Sequence, residues 1–190
     1  MNLRFENDIL KCLEVLKTGG IILYPTDTIW GIGCDATNED AVKKIYELKK
    51  RPDEKSMIVL VANEKEVLRY VTQPDLSIFD YLKAMEKPTT VIYEGAVGFA
   101  DNLISKDGSV AIRVCKDEFC ANLIRRFRKP IVSTSANISG EQSPKKFSAV
   151  TEEIRMKVDY VVQYRQDDEA NAEASSLIKW EEGKAIILRS

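Results

Sequence analysis

Short continuous apolar runs alternate along this chain with segments of helical periodicity, and this alternation constrains the fold more than any other feature. The clearest runs are Ile21-Ile22-Leu23-Tyr24 and 57–61. Thr89–Tyr93 is a further predicted strand, and Val110–Val114 is a strand that carries one arginine in an otherwise apolar run. Uninterrupted apolar runs are typical of strands that are covered on both faces. Because strands and helices alternate over 190 residues without an internal repeat or a low-complexity linker, the sequence predicts a single α/β domain over 1–190 with a twisted mixed sheet.

Amphipathic spacing predicts the helices that connect these strands. Asn7 is expected to cap a first helix that ends at Gly19-Gly20, and Thr37 is expected to open a second that Pro52 stops. We expect further helices over 64–70, 75–85, 119–127 and 148–158, strands from Ile131 and over 160–162, 175–180 and 185–189, a hairpin turn at 181–183 and a loop over 95–108.

Composition excludes several classes of site. The chain has no histidine, which rules out imidazole metal sites and Ser-His or Cys-His nucleophile pairs, and we expect no protein-bound transition metal. Its four cysteines form no CxxC pair, and we predict that they are reduced, buried thiols of a cytoplasmic protein. A net charge of −2 gives no global attraction to nucleic acid. We find neither a signal peptide nor a membrane span, so we expect a cytoplasmic protein without a membrane partner.

The segment Ile131-Val132-Ser133-Thr134-Ser135-Ala136-Asn137-Ile138-Ser139-Gly140 is the strongest candidate for chemistry, since a buried run breaks there into hydroxyls, an amide and a glycine. If the chain stays extended, period-two alternation places Ser133, Ser135 and Asn137 on one side, facing a common cavity. The alternative is a strand end followed by an ordinary Asn-Ile-Ser-Gly turn.

Other polar clusters also lie at predicted strand or helix ends, where α/β sheets collect their ligands. They are Thr26-Asp27-Thr28, Lys49 with Arg51, Ser109 with Arg113, and Arg189. Arg113 lies within an apolar strand and is costly to bury unpaired, so it meets either an acid such as Asp27 or an anionic ligand.

Gly31-Ile-Gly33 follows a strand but lacks the third glycine and the acidic residue of a dinucleotide-binding motif, and the chain has no Walker A sequence. The phosphates of any bound nucleotide would therefore be held by lysine, arginine and hydroxyl groups.

Four motifs occur together in a fixed order. They are Tyr24-Pro25-Thr26-Asp27-Thr28-Ile29-Trp30-Gly31-Ile32-Gly33, Lys49-x-Arg51-Pro52, Val110-Ala111-Ile112-Arg113-Val114 and Ser133-Thr134-Ser135-Ala136-Asn137-x-Ser139-Gly140. In this order the motifs resemble the YrdC-like family of threonylcarbamoyl-AMP synthases, in its short, single-domain form.

This resemblance implies an α/β sheet wrapped around a concave basic groove, and a nucleotidyltransferase reaction. L-threonine, bicarbonate and ATP, with Mg²⁺ carried by the ATP phosphates, would give threonylcarbamoyl-AMP and pyrophosphate for the threonylcarbamoyladenosine modification of tRNA. The implied partners are a downstream threonylcarbamoyl transferase complex and tRNA in the basic groove.

The resemblance also assigns residues. It implies a catalytic tetrad of Lys49, Arg51, Ser135 and Asn137 acting on the ATP phosphates. Threonine would be bound by Thr28, Arg113, Ser133 and either Ser175 or Ser176. Further nucleotide contacts would come from Lys55, Ser109, Ser143 and Arg189.

A second hypothesis is a non-catalytic module of the same fold that binds double-stranded RNA or tRNA. It depends on a set of cations that could line the groove, namely Lys49, Lys50, Arg51, Arg125, Arg126, Arg128 and Lys129. The alternative for 125–129 is a solvated helix end. Binding of this kind would weaken steeply as salt is added.

Overall fold

A nine-stranded mixed sheet organises the chain in a computed structural model, which describes residues 4–51, 57–170 and 172–190. The strands are β1 (Ile22–Tyr24), β2 (Gly31–Gly33), β3 (Ile58–Val61), β4 (Thr89–Tyr93), β5 (Val110–Val114), β6 (Ile131–Ser135), β7 (Tyr160–Val161), β8 (Ser176–Glu181) and β9 (Lys184–Arg189). Their order across the sheet is β7-β1-β2-β6-β3-β5-β4-β8-β9. The pairs β1–β7, β3–β5 and β4–β8 are parallel, and the others are antiparallel.

Helices cover this sheet and supply the loops at its ends. They are α1 (Glu6–Lys17), α2 (Glu39–Lys49), α3 (Glu64–Tyr70), α4 (Ser77–Ala84), α5 (Glu118–Phe127) and α6 (Glu152–Lys157). Helices α1 and α5 pack against each other, and their apolar faces join one core with the buried strands. The predicted α/β class with a mixed sheet is confirmed.

Helix starts were predicted less well than strands. Asn7 lies inside α1, which has no side-chain cap, so the predicted capping role is wrong. Asn38, not Thr37, caps α2 by accepting a hydrogen bond from the Ala41 amide at 3.0 Å. Thr37 instead binds the Asp35 carboxylate through its amide and hydroxyl, because that acceptor lies two residues away.

Helix ends also differ from the prediction. The helix predicted over 75–85 is shorter in the structure and forms α4. In place of the single helix predicted over 148–158, the structure has a 3-10 turn at Phe147–Ala149 followed by α6. Helix α2 ends at Lys49, where Lys50 adopts a left-handed conformation with φ of 50°. The predicted stop at Pro52 lies outside the described residues.

Strand β6 fixes the geometry of the site because it lies between β2 and β3. Its register pairs Ser135 with Gly31 of β2 and Ser133 with Ile58 of β3. The end of β6 is therefore enclosed from both sides, close to the turn that precedes β2. Strand β2 was not predicted, since two of its residues are glycines.

All four cysteines are buried and free, as predicted: Cys12, Cys34, Cys115 and Cys120. Burial raises the pKa of the Cys12 and Cys34 thiols well above their ordinary value.

Candidate active site

A cavity of about 340 Å³ opens on the sheet where β2, β3, β5 and β6 meet the start of β8. Most residues predicted to bind threonine or nucleotide line it. These are Thr28, Arg51, Ser109, Arg113, Ser133, Ser135, Ser143, Ser175 and Arg189. The cavity is rich in hydroxyls and carries three guanidinium groups, so its chemistry suits an anionic ligand with several hydrogen-bonding groups.

Two larger hollows lie elsewhere. One of about 830 Å³ lies beside the β8–β9 hairpin around Trp180, and another of about 580 Å³ is lined by Lys87, Lys116 and Arg165. Neither is lined by any residue of the predicted site set, and the second is bounded by four carboxylates that balance its cations. We therefore place the candidate site in the smaller cavity, where chemistry and predicted residues coincide.

Arg113 forms the charged wall of the cavity. It is only 3% exposed, and its Nη2 lies 2.9 Å from Asp27 Oδ1 and donates to Thr28 Oγ1 at 3.1 Å. The Asp27 contact lacks the alignment of a hydrogen bond, so it is an ionic contact. Within the described residues, Arg113 Nε is buried and has no hydrogen-bond partner. The acid pairing, one of the two alternatives given for Arg113, is confirmed.

The Thr26 hydroxyl fixes the position of Thr28 through hydrogen bonds in the turn that precedes β2. Thr26 Oγ1 donates to the Ile29 carbonyl at 2.8 Å and accepts from the Thr28 amide at 3.0 Å. Because its single hydrogen is used there, the 2.9 Å contact between the two hydroxyls must have Thr28 donating. Thr28 Oγ1 therefore has no hydrogen left and offers the cavity only a lone pair.

Ser175 and Arg189 join two strand ends on the opposite side of the cavity. Arg189 donates from Nε and Nη2 to the Ser175 carbonyl, at 3.1 and 3.0 Å. The Ser175 hydroxyl lies 2.8 Å from that of buried Thr90, a partner that the sequence did not indicate. Ser175, not Ser176, lines the cavity. Its predicted assignment to threonine and that of Arg189 to nucleotide are proposals that this geometry allows.

Ser109 is held in the cavity wall by Asp107, two residues away. The Ser109 hydroxyl and amide both donate to Asp107 Oδ1, at 2.7 and 3.0 Å. These two hydrogen bonds lower the pKa of Asp107. The Ser109 oxygen, having given its hydrogen to the carboxylate, can serve a ligand only as an acceptor.

Lys49 and Asn137 do not line the cavity. Lys49 is 1% exposed, and its Nζ donates to the carbonyls of Ser135 and Asn137 at 2.5 and 2.6 Å. Asn137 turns inward, where its Nδ2 donates to the carbonyls of Ile138 and Glu141. The expectation that Asn137 shares a cavity with Ser133 and Ser135 is wrong, because a turn closed by the Asn137 amide on the Ser135 carbonyl ends the extended run.

Burial, together with the nearby charge of Arg51, lowers the pKa of Lys49 to about 8, while the charge of Glu141 opposes the shift. Burial also lowers the pKa of Arg51. Arg51 follows Lys50 at the end of α2 and reaches the cavity from there.

Several lining residues had no motif of their own. Ser105 reaches the cavity from the 95–108 loop, whose Ser105 amide donates to the Ser109 carbonyl at 2.9 Å. Gly31 belongs to the first motif but was assigned no role; it lies beside Ser133, and a Cβ added to Gly31 would be 3.2 Å from the Ser133 hydroxyl oxygen. Lys55, predicted to contact nucleotide, lies outside the described residues.

The cations that support the RNA-binding hypothesis are largely engaged within the protein. Arg126 forms a two-bonded ion pair with Glu6, and Lys129 contacts Asp35 at 2.6 Å. Lys50 lies 3.6 Å from Glu153. Surface ion pairs of this kind are weak and do not decide between a solvated helix end and a nucleic-acid interface, so both stay predictions.

Neither a membrane-spanning helix nor a metal-binding cluster occurs in the described ranges. No helix in them is long and apolar enough to cross a membrane. They also contain no group of three or more cysteine and carboxylate side chains that could hold a metal ion.

Comparison with known proteins gives a consistent result. A family model for Sua5, YciO and YrdC proteins, described as telomere recombination, matches residues 14–190. A putative threonylcarbamoyl-AMP synthase of Methanocaldococcus jannaschii is 33% identical over 188 residues, covering 97% of this chain and 87% of that protein. A threonylcarbamoyl-AMP synthase of Idiomarina loihiensis is 33% identical over 161 residues, covering 83% and 86%.

Solved structures share the fold. P. abyssi Sua5 complexed with L-threonine superposes with a TM-score of 0.83 at 25% identity, covering 95% of this chain and 53% of that chain. E. coli YciO superposes with a TM-score of 0.82 at 18% identity, covering 96% and 88%. This chain thus spans about half the length of the Sua5 chain.

Proposed function

The chain belongs to the Sua5, YciO and YrdC family, and we propose that it is a threonylcarbamoyl-AMP synthase, a nucleotidyltransferase that uses L-threonine, bicarbonate and ATP. The observation that carries this proposal is Arg113, buried in the wall of a hydroxyl-rich cavity with an unpartnered Nε. A buried guanidinium with a free donor suits a carboxylate, which accepts two parallel hydrogen bonds.

In this proposal the carboxylate of threonine binds Arg113. Thr28 offers only a lone pair, so it accepts a hydrogen bond from the amine or hydroxyl of the substrate. Ser133 and Ser175 line the same space and can satisfy the remaining polar atoms. These four residues are therefore the proposed threonine subsite.

ATP would extend from this subsite toward the ends of α2 and β6. Arg51, Ser135 and Ser143 supply a cation and hydroxyls for the phosphates, which bring Mg²⁺ with them. Ser109 can accept a hydrogen bond from a ribose hydroxyl or an adenine amine. Arg189, whose Nη1 makes no hydrogen bond within the described residues, can donate to the nucleotide. Lys55 remains a predicted contact.

The chemistry needs no covalent enzyme nucleophile. The neutral amine of threonine attacks the carbon of bicarbonate and water leaves, giving a carbamate. A carbamate oxygen then attacks the α-phosphorus of ATP, and pyrophosphate leaves. The first step depends on proximity, and the second on cations that stabilise the charge on the phosphates. The arginines and hydroxyls of the cavity provide both without a histidine.

The product is an activated acyl group, so a threonylcarbamoyl transferase complex that modifies tRNA is the proposed consumer. We propose the cytoplasm as the compartment, because ATP and tRNA precursors are present there. The basic groove implied by the family remains the proposed surface for any direct tRNA contact.

Pyrophosphate release tests the proposed function. The purified chain, in buffer freed of carbon dioxide, should release pyrophosphate from Mg-ATP only when threonine and bicarbonate are both added. Omitting either one should reduce release to the rate without enzyme. Equal ATP turnover without threonine would refute the proposal.

A further inference from the structure

The turn that carries Thr28 is held through its backbone carbonyls by two residues that do not line the cavity. The Pro25 carbonyl accepts a hydrogen bond from the Cys120 thiol at 3.2 Å, and the Thr26 carbonyl accepts one from Arg165 Nη1 at 3.3 Å. Cys120 lies in the first turn of α5, and Arg165 follows β7. The position of the Thr28 hydroxyl in the cavity therefore depends on contacts made outside the cavity.

Arg165 is itself fixed by two carboxylates. Its Nη1 lies 2.9 Å from Asp117 Oδ2, and its Nε donates to Asp168 at 3.3 Å. Asp117 is largely buried and also caps α5, where its Oδ1 accepts from the Cys120 amide at 2.9 Å. One guanidinium nitrogen thus joins the capped start of α5 to the Thr26 carbonyl.

The backbone of Arg165 has a conformation that favours glycine. Its φ is 66°, in the left-handed region that is costly for a residue with a side chain. The preceding backbone is held in place because the amides of Gln163 and Tyr164 donate to the buried Asp8 carboxylate, at 2.8 and 3.0 Å. An arginine at a position that suits glycine points to a use for its side chain.

We propose that Arg165 is a positioning residue for threonine binding, which fixes the turn 26–28 so that Asp27 and Thr28 keep their contacts with Arg113. The proposal rests on the proposed function and deepens its threonine subsite. Arg165 does not line the cavity, and none of its described hydrogen bonds goes to a residue that we assign to ATP. Its loss is therefore expected to affect threonine more than ATP.

The first test is Arg165→Gly, which removes the side chain and leaves a residue that adopts a positive φ without strain. Calorimetry should show that the affinity for threonine falls by about tenfold, whereas the affinity for ATP changes by less than about twofold. The matched control is Arg128→Gly. Arg128 is an exposed arginine with φ of 62° at the end of α5, and its replacement should change neither affinity.

A second variant separates positioning from stability, because Arg165→Gly leaves the Asp117 carboxylate without its cation. The double variant Arg165→Gly with Asp117→Asn removes both charges, and asparagine remains a good helix cap. Its melting temperature should be higher than that of Arg165→Gly, while the affinity for threonine should stay about tenfold reduced. Recovery of threonine affinity in the double variant would overturn the proposal, since the loss would then come from the unpaired carboxylate.

Two further outcomes would contradict the positioning role. Unchanged threonine affinity in Arg165→Gly, whatever its melting temperature, would show that Arg165 is purely structural. Equal losses of threonine and ATP affinity would show that the variant loosens the whole site.

Hydrogen exchange in the ligand-free protein distinguishes this proposal from the proposed function. The Thr28 amide donates to Thr26 Oγ1, so exchange over 26–29 should accelerate in Arg165→Gly and not in Arg128→Gly. Unchanged exchange would refute the link between Arg165 and the turn. An unmodified protein that binds no threonine and releases no pyrophosphate would refute the synthase, whereas an active enzyme whose threonine affinity survives Arg165→Gly would refute the positioning role alone.

Discussion

Replacing Arg113 by alanine is expected to weaken threonine binding by about 100-fold and ATP binding by less than about threefold. The guanidinium is the only described cation in contact with both Thr28 and Asp27, and its free Nε is the donor that we assign to the threonine carboxylate. Truncating one partner of a buried charge pair costs about 2–5 kcal/mol. Isothermal calorimetry with each ligand separately measures the two effects.

Arg113→Ala leaves the Asp27 carboxylate buried without its cation, so the control is a variant that removes both charges. The double variant Asp27→Asn with Arg113→Gln removes both charges and should recover much of the thermal stability lost by Arg113→Ala. Threonine binding should stay lost in the double variant. Threonine affinity that is unchanged in Arg113→Ala would exclude this arginine from the substrate site.

Gly33→Ala is expected to destabilise the fold by about 3 kcal/mol or more, the largest stability effect we expect from adding one methyl group. A Cβ at Gly33 would lie 2.5 Å from the Val132 carbonyl oxygen and 2.6 Å from the Tyr24 ring. These atoms belong to β6 and β1, which flank β2, so relief requires the strands to separate. Urea unfolding measures the loss.

The matched control is Gly183→Ala in the β8–β9 turn. An added Cβ there meets nothing within 4 Å, and only its φ of +74° opposes the change. We expect a loss of about 1 kcal/mol at this position. Equal losses for the two variants would show that close strand packing is not the reason for glycine at Gly33.

The strands that contain local apolar runs were predicted from the sequence, because nearly all residues of β1, β3 and β5 are apolar and each is buried or half-buried. Strand β2 was missed for the converse reason. Its glycines have low strand propensity, and what requires them is contact with Val132 and Tyr24, which are distant in the sequence. The start of α2 was displaced by one residue because Asp35 competes for Thr37.

In the candidate site, too, features set by local sequence were predicted, and features set by contacts with distant residues were missed. The motifs predicted which segments meet, and the cavity contains most of the residues that they named. The directions of the Lys49 and Asn137 side chains were not predictable. The Lys49 ammonium is bound by the carbonyls of Ser135 and Asn137, and the Asn137 amide is bound within the turn after β6, and neither contact is visible in the sequence. The partners Thr90 and Asp107 were not indicated, because neither lies in one of the four motifs. Their hydrogen bonds set which atoms of Ser175 and Ser109 remain for a ligand.

The most direct test of the account is identification of the product made from ¹³C-bicarbonate. Incubation of the chain with threonine, Mg-ATP and the labelled bicarbonate, followed by mass spectrometry, should yield an adenylate one mass unit heavier than the product of unlabelled bicarbonate, at the mass of threonylcarbamoyl-AMP. The label should be absent when threonine is omitted. An adenylate formed without the label, such as threonyl-AMP, or no adenylate at all, would contradict the proposed synthase.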